Sequence, residues 1–395
     1  MIRHLLKLVW HRKRSTGLLM LEIAVSFVVV FAVALFTLRF AGNWRKPLGF
    51  AWRDAWIVDV DTNVTTDDYW TPEDVTRTRQ LLAEARAVPH VAAASVTYIT
   101  PYEIGGSFGN VNYGKRQADI SVIEVSDGFA EVAQLRPSSG RFFGRADDGA
   151  GVPPVVINAR LARELLDGED PLGKVLERGD RKLRVVGVVP EFRQYGELLA
   201  EGNVMFTRVT LADPEQRPPR RLLLRMEPGT PASYEPALLA RLSPVVPGWS
   251  LTVQPLAALR HSMLRLQLAP LVVGGVVAGF LLLMVGLGLL GVLWQNVTRR
   301  TRELGLRRAA GASRQAVHRQ VLLELALITT LAVLPALVLV VQLPLVWPFG
   351  ALEPGLVVAA TVASLLVIFA LTLSCGLYPS RVATRLPPAE ALRWE

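Results

Sequence analysis

Apolar and charged positions along this chain are segregated into blocks. Leu268–Leu293 is a run of 26 residues without a charged side chain, and a second apolar run, Leu325–Val346, follows a strongly basic stretch. Gly17–Leu38, whose one charge is Glu22, and Gly355–Leu377, which has none, repeat the pattern. A bilayer core about 30 Å thick is crossed by about 20 apolar residues in a helix, so each run predicts a membrane span. The expected partition is an amphipathic segment at 1–16, spans at 17–38, 268–293, 321–346 and 355–377, connections at 294–320 and 347–354, and a tail at 378–395. Between the first two spans lie 229 residues, 39–267, of ordinary globular composition, enough to bury a core in more than one lobe.

Within 39–267 the pattern alternates between periods. Strands are predicted at Trp56–Asp61, Val91–Thr100, Ile120–Val125, Pro154–Ile157, Leu183–Val189, Val204–Val209 and Arg221–Met226. Thr71-Pro-Glu-Asp74 carries an N-cap, a proline at the first helical position and an acid at the third, and it opens a helix to about Val88. Asn158–Leu166 and Ser233–Leu242 also read as helices. The expected fold is a membrane protein of four transmembrane helices with a large α+β extracytoplasmic domain inserted between helices 1 and 2. Leu256–Leu266 reads as helix and runs into span two with no turn signal but Pro270, which predicts a stalk under the domain.

Charge gives the sidedness. The chain is 51% hydrophobic with a formal net charge of +9, yet Arg39–Gln267 holds 28 basic and 28 acidic residues. The excess sits in Arg3, Lys7, Arg12, Lys13 and Arg14, in seven arginines against Glu303 between spans two and three, and in the tail. Under the positive-inside rule these segments are cytoplasmic, with both termini inside and the domain outside. The basicity is therefore a topology signal, and no nucleic-acid partner is expected. An uncleaved anchor is expected at span one, because its apolar run exceeds that of a signal peptide and cleavage would leave an odd number of spans.

Two literal motif matches fail on context. Gly168-Glu-Asp-Pro-Leu-Gly-Lys174 fits a phosphate loop, but Val175 replaces the hydroxyl residue and the order is helix–loop–strand. Gly286-Leu-Gly-Leu-Leu-Gly291 lies inside span two; Gly275, Gly279 and Gly286 read as small residues for helix packing in lipid. The five histidines are dispersed, Cys375 is the single cysteine, and the pairs Asp147-Asp148 and Asp167–Asp170 read as solvated charge in Gly-rich loops. No metal site, cofactor site or catalytic constellation emerges.

The basic connection is different. Thr298–Ala310 is helical by propensity, Gly311 suits a C-terminal stop, and Ser313 can cap the next helix. A pure topology anchor needs no such helix–Gly–helix pattern, so the segment reads as a docking element. Thr301–Ser313, with Gln320-Val-Leu-Leu-Glu324, resembles the cytoplasmic segment of MacB/FtsX-type ABC transporter permeases. Tyr378–Leu392 is similar to that family's closing pattern, and Ser139–Phe143, Asp170–Lys174 and Arg184–Val189 are similar to the MacB-like periplasmic core domain.

The resemblance implies a bacterial inner-membrane permease subunit of a type VII ABC transporter. Arg302, Glu303, Leu304, Gly305, Leu306, Arg307, Arg308, Gly311 and Ala312 would form a coupling helix seated on a cytoplasmic ABC ATPase dimer. It places ATP and magnesium on that separate ATPase and no cofactor on this chain. A second permease subunit is implied, and a periplasmic membrane-fusion protein with an outer-membrane duct fits an export role. The different reading within the same family is a regulatory subunit, in which the domain senses a ligand or controls a cell-wall hydrolase. The substrate is not written in the sequence.

Overall fold

Thr71 shows how directly local sequence sets local structure here: its hydroxyl accepts from the Asp74 backbone N–H while the Asp74 carboxylate accepts from the Thr71 N–H. This capping box starts α2 (Pro72–Ala87), as the sequence predicts. The computed structural model describes residues 13–62, 71–211, 220–299, 313–346 and 352–385. It divides into two units, Gly42–Gln267 and the combination of Met1–Ala41 with Leu268–Glu395.

The first unit carries all eleven strands of the described residues. An antiparallel block runs in the order β11 (Ser250–Pro255), β1 (Ala55–Asp61), β10 (Arg221–Met226), β2 (Val91–Thr97). α2 and α5 (Glu235–Leu242) cover one face of it: Trp56, Val58, Val60, Leu222 and Leu224 meet Leu81, Leu82, Ala85, Leu238 and Leu242. The alternate residues Ala55, Ile57 and Leu223 point into a second core built on Phe50, Phe129, Phe192 and Phe206. Burial on both faces explains why β1 reads as an almost unbroken apolar run.

The remaining strands form a closed circuit. β4 (Arg116–Val125) pairs with β3 (Ser107–Tyr113), which pairs with β7 (Val175–Arg178), and the path continues through β8 (Arg181–Val189), β6 (Pro154–Asn158) and β9 (Val204–Arg208). β9 returns to β4 in parallel, from Ser121↔Val204 to Val125↔Arg208. The short α3 (Phe129–Ala133) and two-residue β5 (Ser139–Gly140) lie along this circuit, β5 pairing with β8. α4 (Ala159–Leu166), capped by the Asn158 side chain, lays Leu161, Leu165 and Leu166 on one face of it. The circuit closes in parallel at β9 and β4, while β3 meets β7 in the one register pair Asn112↔Glu177.

β3, β5, β7 and β11 were not among the sequence-predicted strands, and Val91–Thr100 ends as strand at Thr97. Asp147 corrects a second expectation. It is 4% exposed and binds the Arg141 guanidinium through both carboxylate oxygens, at 2.6 and 2.7 Å, so it is a buried ion-pair member rather than solvated charge.

The second unit holds four helices long and apolar enough to cross a membrane. These are α1 (Lys13–Trp44), α6 (Leu256–Arg299), α7 (Arg314–Val346) and α8 (Pro354–Arg385), the first two extending past the unit boundary. Phe27, Phe31 and Leu35 pack with Val285, Leu289, Ala332, Ala336 and Ala360. Ser364 and Ser374 donate to carbonyls four residues back, at 2.7 and 2.6 Å, which satisfies hydroxyls that lipid cannot.

Candidate functional site

Between β8 and β9 the chain leaves the sheet and makes an irregular segment, Glu191-Phe-Arg-Gln-Tyr-Gly-Glu-Leu-Leu-Ala-Glu201, rich in polar side chains that are nonetheless buried. Every group described at this site lies in the Gly42–Gln267 unit.

Arg193 is 2% exposed. It donates to the carbonyls of Asn43 (2.8 Å) and Lys46 (3.3 Å), and on its other side to those of Glu197 (2.8 Å) and Leu199. The last carbonyls of a helix have no intrahelical partner, and the negative end of the helix dipole favours a cation there. Arg193 therefore caps the end of α1. Asn43 answers by donating to Leu198 O at 2.9 Å. Burial pulls the Arg193 pKa down from its ordinary value, with Glu191 and Glu197 opposing, and a guanidinium starting that high keeps its charge. Gly49 permits the close approach: its φ is +83°, and a Cβ there would lie 2.0 Å from Glu191 O.

The first turns of α6 enter the same site. Leu256, Leu259 and Met263 form one helical stripe in the phenylalanine core. Beside that stripe, Arg260 Nε lies 2.6 Å from Glu197 Oε1. The Arg260 guanidinium is also 4.5 Å from the Trp52 ring centroid and 5.8 Å from that of Trp44, a cation–π arrangement. Tyr102 Oη is 3.4 Å from Glu197, and burial first, then the Glu197 charge, push its pKa up. Seven residues after Arg260, Gln267 donates to Tyr195 O at 2.8 Å. Gln194 O accepts from the Tyr102 N–H, and Gln194 Oε1 from Ser121 on β4, each at 2.8 Å. One segment thus ties the end of α1, the start of α6 and the closed strand circuit together.

These contacts make the segment a joint within the Gly42–Gln267 unit. Among the described residues no group of three His, Cys, Asp or Glu could hold a metal ion. A cleft of about 600 Å³ opens beside Leu48–Asp54. Its polar lining includes Arg225, whose guanidinium is occupied by the carbonyls of Ala51, Arg53 and Val132.

The expected site residues fall elsewhere. Arg302, Glu303, Leu304, Gly305, Leu306, Arg307, Arg308, Gly311 and Ala312 lie outside the described residues, as does most of Thr298–Ala310. An ideal Cβ on Gly286 would sit 3.7 Å from Cys375 Sγ and 3.9 Å from Leu371, whereas Gly275 and Gly279 have nothing within 4 Å. Gly168–Lys174 follows a helix and precedes a strand, and the Lys174 ammonium pairs with Glu169 at 2.5 Å. Arg193, Glu197 and Arg260 did not stand out in the sequence. The one available signal was Arg260 itself, a charge one turn into an otherwise apolar helix start.

Comparison with known proteins accounts for nearly the whole chain. The family model of the MacB-like periplasmic core domain matches residues 16–238, and that of the FtsX-like permease C-terminal region matches 275–388. The "Uncharacterized ABC transporter permease YknZ" of Bacillus subtilis (strain 168) is 26% identical over 310 residues, covering 72% of each chain. The "Macrolide export ATP-binding/permease protein MacB" of Bdellovibrio bacteriovorus is 25% identical over 314 residues, which is 73% of this chain but only 46% of that one. The crystal structure of the periplasmic region of MacB from Actinobacillus actinomycetemcomitans aligns over 54% of this chain and 94% of its own, with 13% identity and a TM-score of 0.39. With the core-domain model spanning more than half of its residues and four membrane-crossing helices around that domain, the chain belongs to the MacB/FtsX-type ABC transporter permeases.

Proposed function

We propose that this chain is the transmembrane subunit that carries movement from a separate cytoplasmic ATPase to the inserted domain, for export or efflux of a substrate taken up on the domain's side of a bacterial inner membrane. The observation that carries the reading is α6. It is one helix of 44 residues, about 66 Å at 1.5 Å per residue, against a hydrocarbon core of about 30 Å. Its first turns are held to the domain by Arg260–Glu197 and Gln267–Tyr195. A rod held in this way transmits displacement of its far end.

The arginine bias puts the termini and 294–320 on the cytoplasmic face, where 302–312 would seat on the ATPase. Two permease subunits would serve one ATPase dimer, with ATP and magnesium bound there. The name of the Bdellovibrio relative joins macrolide export to ATP binding, which supports export as the direction. A membrane-fusion protein and an outer-membrane duct would complete such a path.

The test is charge reversal of the full chain at Arg307→Glu and Arg308→Glu, expressed with its ATPase. The variant is expected to insert normally while the ATPase no longer co-purifies and loses its coupling. Retention of the ATPase at the unmodified level would sink the reading.

A further inference from the structure

The 191–203 segment buries more polar atoms than it pairs. Glu191 Oε2, Arg193 Nε, Gln194 Nε2, Glu197 Oε2 and Asn203 Oδ1 are sealed from the surface with no hydrogen-bond partner in the protein. The same holds for Oε1 of Gln267, whose Nε2 is bound to Tyr195 O. Among the other described side chains of this domain only Thr62 Oγ1 and Arg184 Nε share that condition. A buried donor or acceptor left unpaired is destabilising, more so on a charged group, so native interiors supply it with a partner.

Four of the six side chains belong to one knot. Arg193 donates to Glu197 O at 2.8 Å, Glu197 lies 3.4 Å from Tyr102 Oη, and the Tyr102 N–H donates to Gln194 O. Gln267 reaches the same segment at Tyr195. Arg193, Gln194 and Glu197 are 2%, 3% and 6% exposed. The knot does not close on itself. The remaining Arg193 nitrogens are taken by four carbonyls, and Glu197 Oε1 by Arg260. Gln194 Oε1 is taken by Ser121; reversing that amide only exchanges an unpaired nitrogen for an unpaired oxygen. Gly106 leaves room beside it, since a Cβ there would lie 3.7 Å from Gln194 Nε2.

The unpaired set is mixed. Arg193 Nε and Gln194 Nε2 donate, whereas Glu197 Oε2 and Gln267 Oε1 accept. The donors repel a cation and the acceptors repel an anion, but water both donates and accepts. We infer that the joint binds internal water: ordered molecules held among Arg193, Gln194, Glu197 and Gln267 complete the hydrogen bonding of these groups. The segment is then fixed directly where Arg193 meets its carbonyls and Glu197 meets Arg260, and through an exchangeable partner at its remaining polar ends. Neither ATPase coupling nor export is needed for this.

The test is X-ray radiolysis of the full chain in nanodiscs, which makes hydroxyl radicals from bound as well as bulk water and oxidises the side chains beside it. Tyr102, 3% exposed and next to Glu197, is compared with Trp56, 5% exposed in the apolar core under α2. Each rate is normalised to that of the same residue in the denatured chain. Tyr102 is expected to be oxidised at least five-fold faster than Trp56 on that scale. On mixing into oxygen-18 water, the isotope should enter Tyr102 at least ten-fold more slowly than the exposed Phe108, as resident water requires. Gln194→Met, folded like the parent by circular dichroism, should lower the Tyr102 rate at least two-fold. Equal normalised rates at Tyr102 and Trp56 would overturn the inference. So would isotope entry at Tyr102 as fast as at Phe108, which would mean that bulk solvent reaches it by opening, or a Tyr102 rate unchanged in the folded Gln194→Met chain.

Discussion

Arg260 and Glu197 meet at 2.6 Å with 14% and 8% of their side chains exposed, a buried pair that joins α6 to the 191–201 segment. Removing one member of such a pair strands the other. Arg260→Met leaves the Glu197 carboxylate facing the Tyr102 hydroxyl at 3.4 Å without its cation and should destabilise the domain by about 3–5 kcal/mol. The double variant Arg260→Met with Glu197→Leu replaces both charges by apolar groups and should recover much of that loss. Thermal unfolding of the full chain in nanodiscs, read as a double-mutant cycle, measures the coupling; additivity within about 0.5 kcal/mol would show that the two groups do not act as a pair.

Two carboxylates, the buried Asp147 and the half-buried Glu201, should respond to pH in opposite senses. The Arg141 guanidinium, ahead of the Gly144 N–H, holds Asp147 below the ordinary carboxylate range against the effect of burial. Its contribution to stability is full above the unfolded value of about 3.9 and is lost as pH falls through the lower folded one. Asp147→Asn should therefore unfold at lower temperature than the parent near pH 7, with the gap closing in acid. Burial pushes Glu201 up, against the hydrogen bond from Asn158 Nδ2 at 2.9 Å. The folded state favours its protonated form, so that contribution is full below about pH 4.3 and is lost as pH rises through the folded value. Glu201→Gln keeps an acceptor for Asn158 and removes the charge, so it should be the more stable protein at pH 8 and indistinguishable from the parent near pH 4. A gap that does not change with pH in either variant would count against these assignments.

Gly49 gives a prediction about the joint itself. Its Cβ position coincides with Glu191 O, a backbone atom that cannot move aside. Gly49→Ala should cost at least about 2 kcal/mol, because a left-handed φ and a backbone clash act together. Hydrogen exchange would show the loss first at the Arg193 N–H, which donates to Leu48 O at 2.9 Å. Unaltered protection there would mean that the segment does not depend on this approach.

What could be read in advance followed from periodicity and local chemistry. Four apolar runs, the Thr71 cap, the helix at Asn158–Leu166 and the strand at Trp56–Asp61 announce themselves within a few residues. β3 did not, because Ser107-Phe-Gly-Asn-Val-Asn-Tyr113 buries only Val111 and holds its place by pairing with β4 along its whole length. The joint was hidden for a different reason. Arg193 caps a helix 150 positions earlier, and Glu197 pairs 63 positions later, separations at which charge patterning carries no information. Asp147 likewise looks like loop charge until Arg141 is folded against it.

The glycines of α6 separate two kinds of packing that sequence alone merges. Gly286 abuts Cys375 and Leu371 of α8, so Gly286→Leu overpacks the helices of this chain and should cost about 1–3 kcal/mol in thermal unfolding. Gly279, like Gly275, has open space where a Cβ would stand, within a helix face on which Val272, Val276, Phe280 and Leu283 are all exposed. Gly279→Leu should leave the stability of the chain unchanged. If these small residues receive the proposed second permease subunit, the same substitution should lower the dimer fraction counted by single-molecule photobleaching in native-membrane nanodiscs, because a leucine keeps two helix backbones apart. An unchanged dimer fraction, with stability also unchanged, would leave Gly275 and Gly279 facing lipid and move the subunit contact to another helix.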